Sequence, residues 1–254
     1  MNEQTRRLKS DYEHIHREYI DYFNRRRKDN TSTPDMELYT LEDDLSNGIL
    51  FVGMNPSGTD KDHYNNKSQH NGKRKEDVYV YEDIDTPYFK AIEKLLATIH
   101  KNGDNTIHAK YSVLDLIGIV GKKQNEMQDE YLGEEYESLY NDMIAVFFKT
   151  ILRLRPKVIV VINAFVGRCF KGSQSSEVPL SDCRIKEWVK KLSPCEKFGG
   201  YEINIAKPES TDDNETLTTH VFFSSMLSGS RALDCGSREN LAWIVRNYLK
   251  NKQN

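Results

Sequence analysis

The stretch ILFVGMNPSGTD, from Ile49 to Asp60, decides the predicted fold of this chain. Its first four residues form an unbroken apolar run, which is typical of a strand that is buried on both faces. Gly53 then allows a sharp turn or the close approach of a ligand, and Pro56 fixes the backbone directly after Asn55. We therefore predict a strand over Gly48–Met54 that holds the Asn55 amide at the end of a sheet. The alternative is an ordinary strand-to-loop turn, because such turns use the same residue types.

Similar apolar runs alternate with helical patterns along the rest of the chain. Further buried strands are predicted at Tyr111–Val120, Lys157–Ile162 and Thr218–Phe223, with an edge strand at Glu202–Ala206. Helices are predicted over Glu3–Asp29, Thr86–His100, Glu134–Leu154 and Arg238–Lys250, and a long polar loop over Ser57–Tyr81. This alternation predicts a three-layer α/β/α fold with a mostly parallel central sheet of about four strands. Sites in such folds lie at the carboxyl ends of the strands.

Composition limits the class of protein. The chain has 254 residues, of which 37% are hydrophobic and 30% charged, which suits one α/β domain over residues 46–254 with a helical extension over residues 1–45. The net charge of −3 supplies no general attraction to nucleic acid, so such contacts require local patches. The four cysteines form no CxxC pair, which predicts free buried thiols rather than a metal centre.

The sequence also contains no predicted export or membrane segment. Its N-terminus is polar and charged, unlike a signal peptide. The longest apolar run, Val158–Val166, is too short to cross a bilayer. We therefore expect a cytoplasmic or nucleoid-associated protein without a membrane partner.

A second informative loop, Ser224–Arg231, follows the last predicted strand in the stretch HVFFSSMLSGSRALD. Short hydroxyl side chains, backbone N–H groups and arginine are the usual ligands of phosphate. The helix predicted to begin near Ser237 would add its positive N-terminal end. A serine-rich turn that only caps this helix is the alternative.

The residues Gly53-Met54-Asn55-Pro56 resemble the first motif of the uracil-DNA glycosylase superfamily. They are most similar to branches in which Gly-Ile/Met-Asn-Pro-Gly follows the first core strand. The resemblance implies that Asn55 positions the attacking water. Ser57 replaces the usual glycine, which would narrow the contact between this loop and DNA.

The second loop resembles the second motif of the same superfamily, which grips the DNA backbone. The resemblance makes Leu227 the wedge that fills the gap left by a flipped base. It implies phosphate contacts for Ser224, Ser225, Ser228, Ser230 and Arg231. Phe223 stands where several families carry a histidine that stabilises the leaving base. His220 is a poor replacement, because residues three apart on a strand face opposite sides.

The resemblance also places base-pocket residues. Asp115 takes the base-reading position, often an Asn in these families, and an ionised Asp accepts hydrogen bonds but cannot donate them. Asp115 would therefore serve only part of a uracil edge unless it is protonated; a solvated or capping Asp is the alternative. Tyr88 or Phe89 would stack on the flipped base, although Phe89 also fits a core position. Together with Gly53 and Met54, these side chains and Phe223 form the predicted base pocket.

These expectations lead to a monofunctional DNA glycosylase that flips a damaged or deaminated, uracil-like base and hydrolyses its N-glycosidic bond. The resemblance implies no metal and no organic cofactor, a single- or double-stranded DNA partner, and a monomer. A catalytically weak or inactive module that binds DNA or a modified base is the alternative. A hydrolase of free nucleosides or nucleotides is a third option, but it leaves Leu227 and the serine loop unexplained.

Overall fold

The computed structural model describes residues 1–26, 36–54, 78–81, 86–100, 109–119, 137–171, 185–208, 215–227 and 232–251. The helices in these ranges are α1 (Glu3–Arg26), α2 (Pro87–His100), α3 (Glu137–Leu154), α4 (Ala164–Lys171), α5 (Ile185–Trp188) and α6 (Cys235–Asn251). The strands are β1 (Met36–Tyr39), β2 (Ile49–Gly53), β3 (Val78–Tyr81), β4 (Tyr111–Asp115), β5 (Val158–Val161), β6 (Val189–Pro194), β7 (Tyr201–Ala206) and β8 (Thr216–Phe223).

The main sheet has six strands in the order β4-β2-β5-β8-β7-β6. Its first four strands are parallel, and β7 and β6 continue it in antiparallel pairing. The parallel part therefore consists of the four buried strands that the sequence predicts. The β1 and β3 strands form a separate two-stranded parallel sheet.

Helices cover both faces of the main sheet, as predicted. Along β2, Leu50 and Val52 pack in a core with α1 and α3, whereas Ile49 and Phe51 pack in a second core with α2 and α6. This alternation follows from the two-residue period of a strand. It also explains why β2 shows no polar position, because both of its faces are buried.

The N-terminal helix shares the larger of these two cores. Leu8, Tyr12 and Ile15 of α1 are buried there, together with residues of β2 and α3. The aromatic ring of Tyr12 lies over Gly118, where a Cβ atom would come within 2.3 Å of it. The α1 helix and the α/β segment thus meet in one continuous core.

The structure corrects three details of the predicted elements. The main sheet has six strands rather than about four, because β7 and β6 extend the four parallel strands; the mixed Val-Lys-Lys-Leu pattern of β6 did not indicate a strand. The predicted edge strand near Glu202 is β7, which pairs on both sides and is not an edge. The predicted loop over Ser57–Tyr81 ends in a strand, β3.

Among the described strands, β6 forms the antiparallel edge of the sheet. Its pairing with β7 shifts register between Val189 and Lys191. Lys190 and Lys191 are exposed, and the strand ends at Pro194.

The cysteines differ in exposure, which corrects the expectation of uniformly buried thiols. Cys169 is buried, Cys195 is half-buried and Cys235 is exposed, and none of the three forms a disulfide. Cys183 lies outside the described residues. Among the described helices, none is both long and apolar enough to cross a membrane.

Candidate functional site

The two predicted site loops follow strands whose carboxyl ends lie on the same side of the sheet. The β2 and β8 strands both run parallel to β5, which lies between them. Backbone hydrogen bonds continue past the strand ends, from Ile162 N to Val52 O at 2.9 Å and from Ser224 N to Val161 O at 2.8 Å. Since neighbouring strands are about 4.8 Å apart, the two chain segments leave the sheet roughly 10 Å from each other.

Gly53 and Asp115 form the centre of the candidate site. They are paired across β2 and β4. A Cβ atom on Gly53 would lie 2.0 Å from Asp115 Oδ1 and 3.0 Å from the Tyr88 hydroxyl. The Asp115 carboxyl group therefore occupies the space that a side chain at residue 53 would need. This close approach accounts for the glycine at the end of β2.

The site is buried, and its ionisation reflects that burial. Asp115 is 6% exposed. Burial raises the pKa of its carboxyl group from 3.8 to about 7, and the negative charge of Glu37 adds to the increase. At neutral pH, the protonated and ionised forms of Asp115 are therefore both populated.

Tyr88 contributes a hydroxyl group that has no hydrogen-bond partner among the described residues, although it is buried. Burial raises the pKa of this hydroxyl well above its usual value, and the Asp115 charge acts in the same direction. Tyr88 thus remains a hydrogen-bond donor throughout the neutral range. A buried polar group without a partner is uncommon and calls for an explanation.

The other predicted base-pocket residues have different surroundings. Phe89 is a core residue, which packs edge-on against Tyr39 with ring centroids 4.8 Å apart. Met54 is buried in the core on the α1 and α3 side, the face opposite to Tyr88. Phe223 also packs toward that opposite face, with its ring centroid 5.4 Å from that of Tyr201. The structure therefore brings together Gly53, Asp115 and Tyr88, but not Met54 or Phe223.

His220 faces away from Phe223, as the sequence predicts. Its ring stacks on Tyr248 of α6 with a centroid distance of 4.3 Å. Its Nε2 atom lies 2.7 Å from the carbonyl oxygen of Gly199. His220 is therefore held within the fold and cannot replace the missing histidine at residue 223.

In the second loop, the predicted wedge residue Leu227 is buried rather than accessible. Leu227 is 2% exposed and lies in the core between the sheet and α6. A wedge must be free to enter DNA, so this burial argues against that role for Leu227. The neighbouring Met226 is 40% exposed and is the accessible large apolar side chain of the described part of this loop.

The described serines of this loop lie directly after the carboxyl end of β8. Ser224 and Ser225 are half-buried. The loop closes through a hydrogen bond from Leu233 N to Met226 O at 2.9 Å. The α6 helix begins two residues before the predicted Ser237, because Asp234 caps it by accepting a hydrogen bond from Ser237 N at 2.9 Å.

A third chain segment, which follows β5, leaves the sheet on the same side as the two loops and lies between them. After β5, the Asn163 side chain accepts hydrogen bonds from Phe165 N at 2.9 Å and Val166 N at 3.2 Å. Asn163 thereby caps α4, which the sequence analysis did not predict. The signal was present, since Asn followed by an apolar helical pattern is typical of a helix start.

Five predicted site residues lie outside the described residues. They are Asn55, Ser57, Ser228, Ser230 and Arg231. Their predicted roles in water positioning and phosphate contact therefore remain predictions.

Sequence reasoning missed two neighbours of Asp115. Glu37 of β1 is buried, and its charge adds to the effect of burial on the pKa of Asp115. Burial, and after it the charge of Asp115, raises the pKa of the Tyr12 hydroxyl. An acid within the apolar run Met36-Glu37-Leu38-Tyr39 was the available signal for Glu37. Within the described ranges, no three His, Cys, Asp or Glu residues are grouped in a way that could hold a metal ion.

Comparison with known proteins adds no relative: no protein-family model matches this chain, and no curated protein shows significant similarity to it.

Proposed function

We propose that this protein is a monofunctional DNA glycosylase of the uracil-DNA glycosylase type, which hydrolyses the N-glycosidic bond of a flipped, uracil-like base. One observation carries the proposal: the Asp115 carboxyl group lies directly over Gly53, at the residue that begins the Gly-Met-Asn-Pro motif. A group that can read a base thus stands beside the segment proposed to hold the attacking water. A site built on neighbouring strand ends of a parallel sheet agrees with this use.

The raised pKa of Asp115 supports base recognition. A protonated carboxyl group has an O–H donor and a carbonyl acceptor, the same pair that an Asn amide presents. With a pKa of about 7, Asp115 can take this form at physiological pH. The acidic residue at the reading position is therefore compatible with a base that has a carbonyl beside an N–H.

In the proposed mechanism, DNA binds along the carboxyl edge of the sheet and one nucleotide rotates out of the duplex. Asn55 holds a water molecule beneath the sugar, and the bond between base and sugar breaks with oxocarbenium character on the sugar. The base leaves with the bonding electron pair as an anion stabilised by pocket donors, and water adds to the sugar carbon and gives its proton to this anion. Ser224 and Ser225, which are half-buried directly after β8, contact the DNA backbone.

The Asn55→Ala variant tests the catalytic part of this proposal. Preorganised hydrogen-bonding groups of this kind contribute roughly 3–4 kcal/mol to the transition state, so base release should fall about 10²- to 10³-fold. DNA binding should change little. Single-turnover release from a uracil-containing oligonucleotide, followed by alkaline cleavage of abasic sites, gives the rate, and gel retardation gives the affinity.

Asn204→Ala provides the matched control. Asn204 lies on β7 and donates a hydrogen bond to Thr218 at 2.9 Å, at the end of β8 away from the candidate site. This variant should release the base at the wild-type rate. Unchanged release by Asn55→Ala would reject the role of Asn55.

A second candidate function is a binding module without turnover. Two observations favour it: Phe223 occupies the position of the leaving-group histidine, and Leu227 is buried rather than available as a wedge. The same assay separates the two functions. Retarded but intact DNA after alkali would indicate the module, whereas strand breaks would indicate the enzyme.

A further inference from the structure

The starting point is the unpartnered hydroxyl group of Tyr88. It is buried at the first turn of α2 and has no hydrogen bond to any described residue. Its oxygen and Asp115 Oδ1 both lie within 3.0 Å of the same point above Gly53. The phenol and the carboxyl group are therefore close neighbours that are not bonded to each other.

Their hydrogen-bonding capacities are complementary. An ionised carboxylate only accepts hydrogen bonds, whereas a phenol held in its protonated form can donate one. Side by side, the two groups offer one acceptor and one donor. A heterocyclic base that has an N–H or amino group next to a carbonyl oxygen or ring nitrogen would satisfy both of them at once.

We propose that Tyr88 and Asp115 form one recognition edge for such a base, in which the Tyr88 hydroxyl donates to the acceptor of the base and Asp115 accepts from the adjacent donor. This inference rests on the proposed function for the class of ligand. It assigns Tyr88 a role in specificity, through its hydroxyl group rather than through stacking.

Burial, together with the negative charge of Glu37, sets the pH range over which Asp115 changes from a donor to an acceptor. Asp115 is faced by Glu37 from β1, by Tyr12 from α1 and by Tyr88 from α2. Below about pH 6 the protonated Asp115 can itself donate to the base, so the Tyr88 donor becomes dispensable. Above about pH 8 the carboxylate can only accept, and the donor must come from Tyr88.

Binding of an uncleavable probe tests the inference independently of catalysis. We suggest an oligonucleotide with 2′-deoxypseudouridine, whose base has an N–H between two carbonyl groups and a carbon–carbon link to the sugar. An otherwise identical oligonucleotide with an abasic analogue is the reference. The measured quantity is the ratio of the two affinities at pH 6.0 and at pH 8.5, for the full-length wild type and the variants.

The Tyr88→Phe variant removes only the hydroxyl group. It should lower the ratio of the two affinities about tenfold at pH 8.5 and change it little at pH 6.0. In an Asp115→Asn background, the amide supplies both a donor and an acceptor, so Tyr88→Phe should cost little at either pH. Equal losses at both pH values and in both backgrounds would overturn the inference in favour of a merely structural role.

A wild type that binds both oligonucleotides equally would also overturn the inference. If Tyr88→Phe does not fold, Asp115→Ala decides, because it removes the acceptor of the pair and should lower the ratio about tenfold, whereas Asp115→Asn keeps an acceptor and a donor and should retain the ratio. An unchanged ratio in Asp115→Ala would overturn the inference. Selective binding of the probe without release of uracil would reject the proposed enzyme while leaving the recognition edge in place.

Discussion

At the scale of single residues, the environment of Asp115 has a consequence for stability. Its carboxyl group is buried beside Glu37, and its pKa rises from 3.8 to about 7 on folding. Between these two values the folded chain binds more protons at this site than the unfolded chain does. The stabilising contribution is complete below about pH 3.8 and is lost as the pH rises through about 7.

We therefore predict that Asp115→Asn becomes more stable than the wild type as the pH is raised. The difference in the free energy of unfolding should increase between about pH 4 and pH 7 and then level off. We expect this difference to change by at most roughly 2–4 kcal/mol over this range, because each unit of pKa corresponds to about 1.36 kcal/mol. Urea denaturation of both proteins at a series of pH values measures it.

Asp44→Asn is the control with the opposite sign. Hydrogen bonds from the Ser46 hydroxyl and backbone N–H lower the pKa of Asp44. Its contribution is present above the ordinary pKa of an Asp and is lost as the pH falls. A difference between Asp115→Asn and the wild type that is the same at every pH would contradict the assigned burial of Asp115.

The sequence predicted the residue types of the site better than their grouping. The need for a glycine at residue 53 follows from the local pattern, whereas the base-reading role of Asp115 follows from the family resemblance and stays a prediction. The face on which each side chain lies does not follow from a local pattern, because Met54 and Phe223 turn away from Tyr88 into the opposite core. Nor does a one-dimensional pattern show that Glu37, far away in sequence, faces Asp115.

At the scale of elements, α4 depends on a single buried cap. The Asn163 side chain accepts two backbone hydrogen bonds at the start of this eight-residue helix, directly after β5. A short helix has little stability of its own, so its start must be fixed by local contacts. The cap therefore also fixes the chain segment between the two site loops.

Asn163→Ala should lower the free energy of unfolding by about 1–2 kcal/mol, because the cap is removed and two buried N–H groups lose their acceptor. Asn163→Asp keeps an acceptor oxygen near the positive end of the helix and should lose less. Chemical denaturation of the three proteins at pH 7 provides the comparison. Equal stability of wild type and Asn163→Ala would show that α4 does not require this cap.

The elements themselves were predictable where burial is uniform. The strands β2 and β5 are apolar and buried along their whole length, β4 and β8 are mostly buried, and each was found near its predicted position. The β1, β3 and β6 strands were missed because they are short or mix apolar with charged residues. Their formation depends on pairing partners rather than on their own pattern.

At the scale of the whole molecule, α1 is joined to the α/β segment by a common core. Leu8 is fully buried there, and Arg153 of α3 bonds to Asp11 of α1 at 3.3 Å. The sequence could not predict this docking. The amphipathic period of α1 shows that one face is buried but not which element covers it.

Leu8→Ala should therefore destabilise the entire protein, by about 2–5 kcal/mol, rather than release α1 alone. The unfolding transition should remain single and should shift to lower denaturant when followed by both circular dichroism and tryptophan fluorescence. Arg6→Ala, at an exposed position of the same helix, is the control and should have little effect. Two separate transitions for Leu8→Ala would indicate that α1 unfolds independently.

The geometry of β6 also bears on behaviour at high concentration. An open sheet edge offers unpaired backbone groups to any extended chain that meets it. Here a register shift interrupts the ladder, two adjacent lysines would repel their counterparts on a second copy, and the terminal proline lacks an N–H to donate. These three obstacles together should keep β6 from pairing with a second copy and should prevent the sheet from growing between molecules into fibres.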